Sequence, residues 1–368
     1  MNTAQSVIYL CACALNNRIP DSLIIQKMDL DAVYSFAANH MISAIVAMAL
    51  ESAGYKDQQS ENAIGNAIWK AAIFQTALQN ISSRMEKEQI WHAPLKGAVI
   101  KDLYPRFGMR EMSDIDILID AERREDVKRI MEDLGFTTNR FGTDIHDVYK
   151  KEPVLNVEIH QSLFNSSHEA VFQTYFQNAQ AKFERQGYVC RFSPEDFYIF
   201  LIAHEYKHYY GSGTGLRSLM DTYIYTKSVP LDYSYIAEEM EKLGIAAFEQ
   251  SNRQLSAKLF EGDKLTEKEQ EQLDYMLSSG TYGSIQHTIE NKLQKNNWTR
   301  IDYMAHRFLV PVSKKNKGYD AFAYKYPFFY KHKILLPFLP FYRIVRGIRS
   351  GRFSVETNAL KKAGKKEQ

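Results

Sequence analysis

Cysteine is scarce: 368 residues hold three (Cys11, Cys13, Cys190), with no C-x-x-C pair and no even, spaced set. That excludes a disulfide framework and fits a reducing compartment, with the thiols as small core residues. Long apolar runs are missing too, since no window nears the roughly 18–20 residues needed to span a bilayer. Val7–Leu15 is apolar but has no positive charge before it. The expectation is therefore an amphipathic first helix rather than a signal peptide, and a cytoplasmic location. There are no internal repeats and no low-complexity tract.

What is present is ordinary globular material, 45% hydrophobic and 24% charged, enough for a sizeable core. The length suits two domains, or one with helical additions. Net charge is only +2, but it is unevenly spread. Residues 311–368 carry fourteen Lys and Arg against Asp320, Glu356 and Glu367, a net of +11, which leaves −9 on the first 310. A basic module follows an acidic body.

Periodicity divides the chain. Residues 1–89 look helical throughout: AVYSFAANHMISAIVAMALESAG repeats apolar residues at three- and four-residue steps, and a further helix is expected over about 60–89. The period changes at Ile90. IWHAPLKG suggests a strand entering a glycine turn, AVIKDLYPRFG a helix stopped near Pro105, and SDIDILID an alternating, half-buried strand. AERREDVKRIMEDLGF follows as an amphipathic helix, then strands around HDVYKK and VLNVEIHQSLF flank the turn Glu152-Pro153. This order implies a small mixed sheet with helices on it, an α+β class. Helices return from Ser193, with Ser193 as N-cap and Pro194 at the first position. Domains are expected at 1–89, 90–192, 193–310 and 311–368.

The chemistry concentrates in the strand region. Asp114 and Asp116 stand two apart on a strand and so project from one face. Such neighbours repel each other, and burying both is costly unless a cation lies between them. Seventeen residues before Asp114, Leu95-Lys96-Gly97-Ala98 sits at a strand-to-helix turn. There glycine lets the backbone approach a phosphate, and Lys96 adds a point charge. Downstream, Val157-Glu158-Ile159-His160 puts a third carboxylate on an alternating strand, with His160 on the same side. Arg110 before the D-x-D strand suits either a phosphate or simple charge balance. His92 and His146 have no supporting pattern and read as surface or packing residues.

The pattern LKGAVIKDLYP…R…SDIDILI…VEIHQSL resembles the DNA polymerase β-like nucleotidyltransferase superfamily, and within it a bacterial family of uncharacterised nucleotidyltransferases with Lys-Gly at the turn. The resemblance covers residues 90–225 and extends to His204, Lys207, His208, Leu216-Arg217 and Asp221. It implies a polymerase β-like core flanked by helical regions. Asp114, Asp116 and Glu158 would be catalytic and metal-binding, with Lys96, Gly97, Arg110, His160 and Lys207 at the nucleotide. It further implies Mg²⁺ or Mn²⁺, an NTP (ATP by superfamily habit), an unidentified acceptor, and NMP transfer with pyrophosphate release. Glu at the third acidic position and the missing serine at the turn depart from the common pattern.

Two rival readings stand beside it. His204-Glu205-Tyr206-Lys207-His208 fits the H-E-x-x-H of a zinc peptidase, with two histidines sharing a helix face and Glu205 as general base, but no third ligand follows at the expected spacing. A non-catalytic nucleotide-binding module is the other; three intact carboxylates argue against it. In the tail, Arg343, Arg346 and Arg349 recur every three residues and are expected to share one helix side. That suits either packing or peripheral contact with an anionic inner membrane surface. No recognised nucleic-acid module accompanies the charge. Residues from Ala363 on are expected to be disordered.

Overall fold

A computed structural model describes residues 1–142, 145–165, 170–281, 283–308, 310, 312–313 and 319–363. The disordered end expected from Ala363 falls, from Gly364 on, outside the described residues. The chain forms two compact units, Met1–Lys207 with Gly215–Thr281, and His208–Thr214 with Tyr282–Gln368.

The first unit is a mixed α+β body around one sheet. Its seven strands are β1 (His92–Pro94), β2 (Ile115–Ile119), β3 (Thr137–Arg140), β4 (His146–Lys151), β5 (Leu155–His160), β6 (Phe183–Gln186) and β7 (Val189–Phe192). They lie in the order β3-β4-β5-β2-β1-β7-β6. β2 pairs parallel with β5 and β1 with β7, while the other neighbours are antiparallel.

Alternation along β2 and β5 divides the sheet chemically. Ile115, Ile117, Ile119, Val157 and Ile159 enter one buried apolar cluster with Phe74, Ile81 and Met85 from the helix Gln58–Lys87 and Val127 and Ile130 from the helix Arg124–Asp133. The intervening residues Asp116, Glu158 and His160 must then face the opposite side. The long helix starts where Asp57 accepts the Ser60 N–H, and buries Phe74, Ala77, Ile81 and Met85 at helical spacing.

Several elements differ from expectation. The apolar stretch after Asp31 is two helices, Leu30–Asn39 and Ser43–Ser52, broken where Met41 takes φ 51°. The segment after Gly97 makes one helical turn, Gly97–Ile100, and then a 3₁₀ turn, Lys101–Leu103. Strands β3, β6 and β7 were not anticipated; β3 and β6 are short, polar strands at the two edges of the sheet. Ser193 does cap its helix, accepting the Asp196 N–H at 3.1 Å.

The second unit is helical, with apolar clusters around Ile289, Leu293, Tyr303 and Leu360 and around Tyr319, Tyr330, Leu336 and Leu339. The tail arginines do not share one side. Arg346 and Arg349 are exposed, whereas Arg343 is half-buried with its guanidinium 4.9 Å from the Phe322 ring centroid. Among the described residues, no helix is long and apolar enough to cross a membrane.

Candidate active site

The parallel register of β2 and β5 sets Asp116 beside Glu158, with Ile115 beside Val157 and Leu118 beside His160. Asp114, two residues before Asp116, joins the same face. The β4–β5 pairing then puts His146 opposite His160. Three carboxylates and two histidines therefore meet on the side of the sheet away from the apolar cluster.

Asp116 is the buried centre, 4% exposed. Its Oδ1 accepts from Lys96 Nζ and from His160 Nε2, both at 2.8 Å. Burial alone would raise this carboxyl, but the Lys96 charge and the His160 hydrogen bond outweigh it and hold it well below the usual carboxylate range. Burial lowers His160, whose Nδ1 is enclosed with no hydrogen-bond partner among the described residues. Asp114, bonded to Ser113 Oγ at 3.0 Å, is raised by burial and by the Asp116 charge. Glu158 is pushed up to about 7 by burial, then by Asp116 and Asp114. Its Oε2 lies 3.4 Å from His146 Nε2 and 3.8 Å from His160 Nε2. Among the described residues, His146, Glu158 and His160 are the one group of three whose ligand atoms lie close enough to share an ion, within 4.8 Å of one another.

Lys96 caps the turn into Gly97–Ile100 with φ 46°, a backbone region that costs a side-chain-bearing residue energy. Gly97 serves Arg110: a Cβ there would run into the guanidinium, with Cζ only 3.2 Å away. Arg110 in turn gives two 2.7 Å hydrogen bonds to Asp221, which also accepts from Tyr104 at 2.8 Å. Arg110 and Asp221 are each 8% exposed, so this buried pair pins the turn from beneath. Lys207 lies near the Phe164 ring, and its charge reaches His160. Arg217 donates to the Glu111 carbonyl at 3.3 Å, and its charge reaches Asp114.

The structure thus brings together Asp114, Asp116, Glu158, Lys96 and His160. His146, read from the sequence as surface or packing, belongs with them, 18% exposed and beside Glu158. Only the β4–β5 register reveals it. His92 is a packing residue, its imidazole bonded to Ser82 Oγ and the Ile90 carbonyl.

The H-E-x-x-H segment is organised otherwise. Glu205 is buried, accepting from Asn252 at 3.1 Å and Thr222 at 3.3 Å. The group of three able to share an ion includes neither His204 nor His208. A carboxylate turned into helix packing is not placed to act as a general base between two histidines.

A family model described as "Uncharacterised nucleotidyltransferase" matches residues 26–261. That is more than half of the chain, and the chain belongs to this family, whose general activity is nucleotidyl transfer. Neither the curated proteins nor the solved structures yield a match.

Two predictions follow from the buried charges. Asp221→Leu strands Arg110 and should destabilise by about 3–5 kcal/mol, whereas Arg110→Met with Asp221→Leu should recover most of that loss in a denaturant-melt cycle. Equal losses for the single and the double variant would contradict this. Burial raises Glu205 to about 7, above its unfolded value, so its protonated form is favoured in the fold. Its stabilising contribution is present in full at acid pH and lost as pH rises through about 7. Glu205→Gln, a neutral isostere of the protonated form, should leave stability nearly unchanged at pH 5 and raise it by on the order of 1–3 kcal/mol at pH 8. Thermal melts at the two pH values check it.

Proposed function

We propose that this chain moves a nucleoside monophosphate from an NTP to an unidentified acceptor at a polymerase β-like site built on Asp114, Asp116 and Glu158. The observation that carries the reading is the β2–β5 register, which sets Asp116 beside Glu158 and groups three carboxylates next to the Lys96-Gly97 turn. In the reaction the acceptor hydroxyl gives its proton to solvent water and its oxygen bonds to the α-phosphorus. The bond from the α-phosphorus to the bridging oxygen breaks, and pyrophosphate leaves with the electron pair.

The donor set fits a divalent cation. Asp114 and Glu158 are raised by burial and by neighbouring carboxylate charge, so the face is short of positive charge. Asp114, Asp116 and Glu158 offer the hard oxygens that Mg²⁺ takes, while His146 adds an imidazole nitrogen that suits Mn²⁺ better at the Glu158 end; His160 Nε2 could join it only by releasing Asp116 Oδ1. When bound, the cation supplies positive charge and Lewis acidity at the reacting phosphoryl group.

The remaining roles belong to the chain itself. Lys96 balances Asp116 and would turn to the triphosphate when the donor enters, adding a point charge to the leaving group. His160 donates to Asp116 Oδ1 and so orients that carboxylate. Arg110, engaged with Asp221, would act by holding the Lys96-Gly97 turn rather than by touching phosphate. Lys207 would extend the positive border on the His160 side. ATP is the expected donor from superfamily habit.

Calorimetric titration of each NTP, with and without Mg²⁺, tests the reading. Wild type should bind one or more NTPs only when the cation is present, and Asp114→Asn with Asp116→Asn should abolish the signal without unfolding the protein. A folded wild type that binds no NTP would sink the donor-site claim. The pH dependence has a defined sign. Glu158 must be ionised to hold a cation, and in the cation-free protein it gives up its proton only near pH 7. Mn²⁺ affinity should therefore fall by up to about tenfold per pH unit below 7 and level off above 8. Glu158→Gln should flatten that profile.

A further inference from the structure

The second unit carries an apolar face that its own core does not use. In and just before the helix Leu339–Arg349, Phe338, Phe341, Val345 and Ile348 recur at steps of three, four and three, which keeps them on one side. All four are exposed, Phe341 at 67% and Ile348 at 59%. Ile334, just upstream, is 86% exposed. The opposite side is already spent, since Leu339 is fully buried with Tyr319, Tyr330 and Leu336. An apolar ridge of this kind on a water-facing helix marks an interaction surface.

Charge selects the partner. Between Asp320 and Glu356 the sequence contains no acid and seven Lys and Arg. Lys331, Lys333, Arg346 and Arg349 are exposed around the ridge. A second copy seated on this face by two-fold symmetry would set those cations against their own duplicates. Nucleic acid would satisfy the cations, but stacking on a base or wedging a base step takes one or two side chains and leaves the rest of a four-residue apolar ridge in water. An anionic bilayer surface meets both demands, with acyl chains for the ridge, headgroup phosphates for the cations, and long basic side chains reaching back to the headgroup level.

We propose that the outward face of the helix Leu339–Arg349 docks this chain in the plane of an anionic membrane surface. The helix lies in the interface, with Phe338, Phe341, Val345 and Ile348 below the headgroups. The surface belongs to the second unit alone and does not depend on the catalytic reading.

Co-sedimentation of the full chain with lipid vesicles tests it, alongside light scattering of the protein without lipid. Wild type should pellet with phosphatidylcholine vesicles containing phosphatidylglycerol, bind pure phosphatidylcholine far less, and be weakened by salt. Phe341→Ser with Ile348→Ser alters exposed side chains and should keep the wild-type melting temperature while weakening partitioning by about tenfold or more. Arg346→Glu with Arg349→Glu should remove the preference for anionic lipid. The proposal is overturned if wild type stays in solution with anionic vesicles at low salt. It is also overturned if the Phe341/Ile348 variant binds undiminished, since charge alone would then suffice. A dimer in lipid-free solution that the same variant dissociates would assign the face to a second copy instead.

Discussion

Everything at the candidate site follows from burying one carboxylate. Asp116 is nearly sealed from water, and an ionised group there is tolerable only with positive charge and hydrogen bonds brought in around it. Lys96 and His160 supply them from two different elements, a turn and a strand. The arrangement then affects its neighbours. With Asp116 held as an anion, Asp114 and Glu158 cannot ionise cheaply on the same face, and both are raised. One lysine does not neutralise three carboxylates. The face therefore remains short of positive charge.

Support for Lys96 comes from beneath. Its φ of 46° is a cost that surrounding structure must offset, and the Arg110–Asp221 pair under Gly97 is the rigid part available to do so. Tyr104 closes the same network. Glycine at position 97 is thus required for the guanidinium rather than for backbone torsion, a role different from the phosphate approach that the turn alone suggested.

The central strands were readable because period-two alternation is a local property. S-D-I-D-I-L-I and V-E-I-H each declare which residues face the core and which face away, and their pairing only had to add them together. His146 was not readable by that logic, since its membership depends on which β4 residue opposes His160, a fact of register that no local pattern holds. The strands β3 and β6 escaped for a simpler reason. They are short and polar, with mostly exposed side chains, and an edge strand of that kind carries little hydrophobic period to detect. In the helical region, the break at His40-Met41 was hidden because both flanking segments are apolar, and a helical period runs through it without interruption.

Two helical patterns show how packing decides what spacing leaves open. The H-E-x-x-H spacing does set two histidines one turn apart, but Glu205 sits among Thr222 and Asn252, where desolvation favours its protonated form. The three tail arginines illustrate the drift of a strict three-residue step. At about 100° per residue each step falls about 60° short of a full turn, so the two steps from Arg343 to Arg349 drift about 120° around the helix instead of running along one side. Arg343 therefore ends against Phe322 while Arg349 ends in solvent. Alternating three- and four-residue steps cancel that drift. Phe338, Phe341, Val345 and Ile348 use them, and so form the coherent face of this helix, with the arginines as its edge.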